Sequence, residues 1–268
     1  MPTLKIQNAK HRQMTRARVA RVERTTPHFV TVTFTSDALD GFEFLGDDQC
    51  IRVFFPRVGQ RGLRMPTASG NGWIAQFYLI PAASRPQVRN YTVRAFRPES
   101  AELDIEFVVH GDDSPASFWA THAQPGDEAG LFPEGKQYLP HSGAEWQLLV
   151  GDESAVPAIL SILEQSDLAL RAEVFLEVPS TDDIRPTPAR DGVTVHWLPR
   201  DGRPGTPGRY ALETVSRAKL PIGEPASFIV GESGLATGLR RHLVSERGFA
   251  KSGIIFIGYW KSGRAALG

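Results

Sequence analysis

The chain has 268 residues, 30 basic and 30 acidic side chains, and a hydrophobic content of 41%. This length exceeds what one small core needs and predicts two domains. The balanced charge argues against a nucleic-acid partner, and the single cysteine, Cys50, excludes an internal disulfide and a cysteine-built metal site. No apolar run is long enough to span a bilayer and the N-terminus has no signal-peptide core, so we expect a cytoplasmic protein without membrane insertion.

The first half of the chain reads as β-structure, because apolar and polar residues alternate at period two. Turns rich in Gly, Pro and Asp separate short segments, a pattern that favours an antiparallel barrel. A basic stretch with Gly and Pro, residues 57–71, is predicted to be a mobile loop, and residues 125–127 and 133–135 are predicted to be the last turns of this half. The predicted strands are 18–24, 29–34, 50–55, 90–96 and 103–109.

The second half alternates strands and helices, which is typical of a parallel sheet covered by helices. We place the boundary so that the domains are 1–141 and 142–268. The histidines show no metal-ligand spacing, so we predict no protein-bound metal. The predicted strands are 146–150, 171–178, 193–198, 228–230 and 254–258, and the predicted helices are 155–165 and 235–247.

A tetrapeptide on a predicted strand of the first half, residues 89–92, reads Arg-Asn-Tyr-Thr. It combines an aromatic face and a hydroxyl, which suit a flavin ring, with a cation that suits its phosphates. Arg89 and Tyr91 share one face of the strand, whereas Thr92 points to the other. Taken alone, the segment also fits an ordinary amphipathic strand with an exposed arginine.

A second motif begins about twenty residues later with His110-Gly111 and continues through Ser114 into a predicted helix. Ser114 followed by Pro115 is typical of a helix start. The free N–H groups of the first turn, at Ala116 and Ser117, together with the Ser117 hydroxyl can bind a pyrophosphate. Trp119 is expected to pack in the core rather than contact a ligand.

Two turns of the second half follow predicted strands at the sheet edge where parallel sheets bind ligands. The first contains Asp152, Glu153, Ser154 and Ala155, and the second contains Glu232. Neither turn has the GxGxxG pattern of a classical dinucleotide site. A capped helix start explains Asp152 and Ser154 equally well, so a ligand role and a structural role both stand.

Taken together, these motifs resemble the siderophore-interacting proteins, FAD-dependent ferric-siderophore reductases of the ferredoxin-reductase-like superfamily. The resemblance covers nearly the whole chain and rests on five stretches that occur in the family's order. It implies an N-terminal antiparallel Greek-key FAD-binding barrel followed by a C-terminal parallel-sheet NAD(P)-binding α/β domain. The five stretches are 52–56, 89–92, 110–120, 151–159 and 258–263.

The resemblance also implies roles for the motif residues. It assigns Tyr91 to packing on the flavin and Thr92 to the flavin N5 edge, which makes them the catalytic candidates, and Arg89 to the FAD phosphates. The loop from His110 through Ser117 is implied to bind FAD. The turn of Asp152 to Ala155 would border the flavin and the nicotinamide, and Glu232 would face the nicotinamide nucleotide.

Basic side chains are implied to bind the electron acceptor, an anionic ferric siderophore. Arg52 and Lys261 occupy the positions that the resemblance assigns to such bases. A third base is expected in the turn that closes the barrel, but Glu134 stands there and Lys136 follows two positions later. This departure leaves the charge of the preferred siderophore open.

The implied reaction passes electrons from NADPH or NADH through FAD to Fe(III), with release of Fe(II). Near the end of the second strand of the α/β half lie the acids Glu177, Asp182 and Asp183, of which one would suit a ribose hydroxyl. Arg185 follows closely and suits a 2′-phosphate, so the nucleotide is undecided. The alternatives are a general flavin reductase or diaphorase, and a siderophore-binding protein whose flavin is reduced by a partner such as ferredoxin. We expect a monomer.

Overall fold

The computed structural model describes residues 6–60, 62–111 and 114–264. Two compact units divide the chain, one with residues 7–136 and the other beginning at Gln137. None of the described helices is long and apolar enough to cross a bilayer.

The first unit is an antiparallel sheet whose six long strands close into a barrel. The strand order is β1-β7-β2-β3-β6-β5-β4, and β4 pairs in turn with β7, so the six strands from β7 to β4 form a closed ring with β1 at its side. The predicted Greek-key barrel is confirmed. The strands are β1 (Gln7–Asn8), β2 (Thr15–Thr26), β3 (Phe29–Thr35), β4 (Cys50–Phe55), β5 (Gln87–Arg97), β6 (Glu102–Val108) and β7 (Glu128–Lys136), and the helices are α1 (Gly72–Leu79) and α2 (Pro115–His122).

The barrel core forms because the alternating apolar residues of these strands point inward. Trp119 of α2 is buried among Phe55, Phe107 and Phe34, with ring centroids at 5.3, 5.7 and 6.1 Å. Helix α2 is thereby anchored to the barrel by a core residue, as the sequence predicted for Trp119.

Residues 133–135 are not the turn that the sequence predicted, because they lie within β7. Here β7 carries one residue more than β4: Ile51 pairs with Pro133 and Cys50 with Gly135, so Glu134 is left over as a β-bulge. Proline is tolerated at a bulge, where a ladder hydrogen bond is already missing. Gly135 has φ +155°, and a Cβ atom there would collide with the backbone of β1.

The second unit is a five-stranded parallel sheet in the order β10-β9-β8-β11-β12. The predicted strands are all present, and helix α4 is one that the sequence analysis did not predict. From β8 the chain adds β9 and β10 on one side of the sheet, and it then adds β11 and β12 on the other side of β8. The topological switch point, where this direction reverses, therefore lies between β8 and β11. The elements are β8 (Trp146–Gly151), α3 (Val156–Gln165), β9 (Ala172–Val178), β10 (Val193–Pro199), α4 (Arg209–Arg217), β11 (Pro225–Glu232), α5 (Ser233–Ser245) and β12 (Ile254–Trp260).

Candidate functional site

The Arg-x-Tyr-Thr segment lies in the middle of β5. The Tyr91 ring packs on Phe107 with centroids 4.3 Å apart, and Thr92 is buried opposite Cys50 of β4. Burial raises the pKa of Tyr91 above its ordinary value, opposed by the nearby Arg89, so the phenol stays protonated at neutral pH. Arg89 donates to the carbonyl of Val88 at 2.7 Å, which leaves the other N–H groups of its guanidinium for an anion.

The loop before α2 is held to the helix by Ser117. Its hydroxyl donates to the Gly111 carbonyl at 2.5 Å and accepts from the His110 N–H at 3.0 Å. Ser117 is buried, and its hydroxyl proton is already used in the hydrogen bond to Gly111. This side chain therefore holds the loop in its conformation. Ser114 occupies the N-cap position but its side chain makes no capping hydrogen bond. Among the described residues none accepts from the N–H groups of Ala116 and Ser117, so within that part of the chain these groups are open to a ligand or solvent.

A cavity of about 670 Å³ opens beside α2 within the first unit. Pro115 and Phe118 of the helix line it, and Arg57 and Gln87 border it from the ends of the neighbouring strands. His122 stacks on Phe118 with ring centroids 4.2 Å apart. The cavity thus runs along α2 from Pro115 at its first position to the stacked rings near its C-terminal end, with the exposed cation Arg57 and the acidic Asp127 also in its lining. A cation and stacked rings together suit an anionic group and an aromatic base.

In the second unit, Asp152 lies at the switch point and is fully buried. One carboxylate oxygen accepts from the N–H and the hydroxyl of Ser154 at 2.9 and 2.6 Å. The other accepts from the Glu232 N–H at 2.6 Å and the Trp260 indole N–H at 3.0 Å. Gly231 (φ +127°) is required here, since a Cβ atom would overlap the Asp152 carboxylate.

The charge of Asp152 is poorly solvated. Burial first, and the neighbouring Glu153 second, raise its pKa to about 7, although the hydrogen bonds from Ser154 and Glu232 oppose this shift. The carboxyl group at the switch point is therefore easier to protonate than an ordinary aspartate. Such a shift is typical of functional sites and also occurs in structural networks.

Glu153 belongs to a buried ion network rather than to an open surface. Arg200 binds both of its oxygens at 2.7 and 2.9 Å and reaches Glu177 at 3.0 Å. Glu177 also accepts from the N–H groups of Gly208 and Ala211 at 2.8 Å each, so it caps α4. Of the acids that the sequence suggested for a ribose hydroxyl, Glu177 is thus already bound in this structural role.

Glu232 is buried at the junction of β11 and α5. Its side chain caps α5 at the Gly234 N–H and accepts from the Ser262 N–H at 3.1 Å. Ala155 is buried in the turn that precedes α3. The two predicted turns therefore do meet at the switch point, and most of their polar side chains hold its backbone in place.

The predicted acceptor residues of the barrel are ion-paired. Arg52 binds Glu134, which also binds Arg12, and Lys136 binds Asp47 at 2.6 Å. In the second unit, Lys261 is exposed and forms an isolated backbone bridge to Arg264. Sequence reasoning missed Arg12 and Asp47, because nothing local marks a residue whose partner lies far along the chain.

Comparison with known proteins first identifies the class of fold. A ferredoxin NADP+ reductase from Neisseria gonorrhoeae superposes with a TM-score of 0.61 at 15% identity, covering 92% of this chain and 99% of that one. A likeness at this identity shows the fold alone, and it confirms the ferredoxin-reductase-like architecture.

Family models then match both units. A siderophore-interacting FAD-binding domain matches residues 18–137, and a siderophore-interacting protein domain matches residues 144–263. The chain belongs to the siderophore-interacting protein family, and the predicted family, fold and FAD cofactor are confirmed.

Individual relatives agree with this assignment. Ferric vibriobactin reductase ViuB of Vibrio cholerae is 33% identical, over 91% of this chain and 88% of its own length. The NADPH-dependent ferric-chelate reductase of Escherichia coli is 31% identical, over 85% and 86%. A solved siderophore utilization protein from T. fusca has a TM-score of 0.82 at 27% identity, covering 98% of both chains.

Proposed function

We propose that this protein is an NAD(P)H-dependent, FAD-containing reductase that releases iron as Fe(II) from a ferric siderophore. The observation that carries the proposal is the match of both units to siderophore-interacting domains, together with relatives named as ferric-siderophore and ferric-chelate reductases. Iron(III) is the substrate of this reaction and needs no ligand from the protein.

The barrel offers residues that fit FAD. Arg89 and the first turn of α2 would hold the phosphates, with the cavity bordered by Arg57 receiving the nucleotide end. Tyr91 would support the flavin ring, and the Thr92 hydroxyl would donate a hydrogen bond at its edge. FAD, when bound, couples a two-electron hydride donor to an acceptor that takes one electron at a time.

The second unit would bind the electron donor. Its switch point is the edge at which open parallel sheets bind nucleotides. There the backbone around Asp152 to Ala155 is fixed by buried hydrogen bonds, so the turn is preorganised for a ligand. The name of the E. coli relative favours NADPH over NADH.

Arg52, Lys136 and Lys261 would attract the ferric complex. Arg52 and Lys136 already form ion pairs with Glu134 and Asp47. When the ferric complex binds, each of these cations would either leave its carboxylate or contact both the carboxylate and the complex. Iron(II) holds hard oxygen ligands more weakly than iron(III), so reduction loosens the chelate. The monomeric state and the cytoplasmic location stay predictions from the sequence.

An anaerobic visible spectrum tests the proposal. NADPH or NADH is added to the purified holoprotein, followed by a ferric siderophore with a ferrous chelator present. The proposal expects the flavin band to bleach and then to recover as the Fe(II)–chelate colour appears.

Other outcomes favour the alternatives. A flavin that bleaches but ignores ferric siderophores indicates a general flavin reductase. A flavin that neither nucleotide reduces, but that reduced ferredoxin bleaches, indicates a protein donor. A protein without flavin contradicts the proposal.

A further inference from the structure

The bulge in β7 aims one carboxylate at the basic residues of the barrel. Glu134 is the extra residue between the pairs Ile51–Pro133 and Cys50–Gly135, so it has no partner in the strand ladder. Bulges redirect a side chain and occur next to functional sites. The backbone of Glu134 is fixed in turn, because its carbonyl accepts from the Ala9 N–H at 3.2 Å.

We call Arg12, Arg52 and Glu134 the Glu134 cluster. The carboxylate binds one arginine through each oxygen, and all three side chains are between 19 and 25% exposed. Each guanidinium also lies on an aromatic face, Arg52 on Trp73 at 5.0 Å and Arg12 on Phe132 at 5.1 Å. These contacts hold the arginines in place and make the cluster more than a mobile surface ion pair.

Glu134 lowers the positive charge of this surface. The cluster has two cations and one carboxylate, so its net charge is +1 instead of +2. Next to it, Lys136 of the same strand binds Asp47, which lies just before β4. Cys50 lies at the bulge, near these charges. Burial first, Glu134 second and Asp48 to a smaller extent raise the pKa of its thiol to about 12, whereas Arg52 lowers it. The Glu134 carboxylate thus acts on Cys50 against the Arg52 guanidinium.

We propose that Glu134 sets the charge of the preferred ferric complex: the compensated cluster favours chelates of low net charge, such as neutral tris-hydroxamates, over trianionic tris-catecholates. This inference rests on the proposed function, because it concerns the substrate of the site that contains Arg52. Glu134 acts here as a specificity-determining residue that lowers the positive potential without contacting iron.

The size of the effect follows from Coulomb's law. A carboxylate about 7 Å from a trianionic complex repels it enough, in water and at physiological ionic strength, to weaken binding about three- to tenfold. The same carboxylate leaves the binding of a neutral complex nearly unchanged. Charge preference, rather than overall affinity, is thus the expected signature.

Redox-inert gallium(III) complexes test the inference separately from electron transfer. Dissociation constants of a neutral gallium tris-hydroxamate and a trianionic gallium tris-catecholate are measured by calorimetry with the FAD-loaded protein and with Glu134→Gln. The matched control is Glu128→Gln, which removes an ion-paired carboxylate from the other end of the same strand. All three proteins are first compared by thermal melting.

The inference expects the wild-type protein to bind the neutral complex at least as tightly as the trianionic one. Glu134→Gln should strengthen tris-catecholate binding about three- to tenfold and change tris-hydroxamate binding less than twofold, and Glu128→Gln should change neither. Equal changes for both complexes, an unchanged tris-catecholate affinity, or no binding of either complex would overturn it.

The test also gives a clear answer in two further cases. If Glu134→Gln does not fold, the wild-type protein alone decides, since a tenfold preference for the trianion that is lost at high salt contradicts the inference. If gallium binding behaves as expected but NAD(P)H never drives iron release, the proposed reductase function fails while the assignment of Glu134 stands.

Discussion

The carboxylate of Asp152 accepts a hydrogen bond from the indole N–H of Trp260 at 3.0 Å, which ties the end of β8 to the end of β12. The same oxygen accepts from the Glu232 N–H at the end of β11. One buried side chain thus fixes three strand ends at the edge where the nucleotide is proposed to bind. The protonation state of Asp152 should therefore affect the stability of the second unit.

Stability should depend on pH through Asp152. Its pKa is raised from an ordinary acid value to about 7 in the folded protein, so the folded state binds more protons than the unfolded state between about pH 4 and 7. Its contribution is fully present below that range and is lost as pH rises through 7. Asp152→Asn should flatten the fall in unfolding free energy across this range, measured by urea denaturation.

The matched control is Asp182→Asn, because Asp182 is exposed. This variant should keep the wild-type pH dependence. An Asp152→Asn protein that retains the full fall between pH 4 and 7 would show that another group causes it.

Arg200 should be essential to the stability of the second unit. Arg200→Met removes the cation that binds the buried carboxylates of Glu153 and Glu177, and breaking a buried pair from one side costs about 3–5 kcal/mol. Chemical denaturation measures the loss. Arg209→Met removes an exposed ion pair within α4 and should leave the midpoint unchanged, so equal effects of the two variants would refute the network.

Two serines near α2 should behave oppositely. Ser117→Ala leaves the His110 N–H and the Gly111 carbonyl without their shared partner, at a cost of about 1–3 kcal/mol, and should weaken FAD binding by distorting the loop. Ser114→Ala should change stability little, because the Ser114 side chain makes no capping bond. FAD titration and thermal melting of both variants check this ordering, and a reversed order would contradict it.

Thr92 should affect electron transfer more than cofactor binding. Thr92→Val keeps the buried shape but removes the hydroxyl, so we expect the rate of flavin reduction by NAD(P)H to fall about tenfold at least, with FAD affinity nearly unchanged. Stopped-flow absorbance measures the rate, and Thr92→Ser should restore it. If the serine variant is as slow as the valine variant, the hydroxyl is not the active group.

The sequence predicted the elements whose pattern is local. Strands such as β3 and β9 were found because their residues alternate or form buried apolar runs. Strand β7 was missed because Pro133 and Gly135 are turn residues by local chemistry, and only pairing with β4 and β1 makes them strand residues. Helix α4 was missed for a related reason, since its cap is Glu177, about thirty residues earlier.

The residues of the candidate site also fall into two groups, those that a local motif marks and those that only the folded sheets bring together. The motif of Arg89, Tyr91 and Thr92 is contiguous, and the sequence alone marks it. The ion-pair partners are not contiguous: Arg12 reaches Glu134, and Arg200 reaches Glu153, only after the sheets have formed. The sequence could suggest Arg52 as a basic side chain that binds the acceptor. Its ion pair with Glu134 could not be predicted, because that pair depends on the bulge in β7.

Closure of the barrel constrains how the chain is made. Strand β7 is the last strand of the first unit and the partner of both β2 and β4, so Arg16 meets Glu128 across 112 positions. Such distant pairings carry the highest loop-closure entropy and form slowly. All residues up to Lys136 must therefore have left the ribosome before the barrel can close. Until then, the nascent strands β2 and β4 expose open edges that a chaperone can bind.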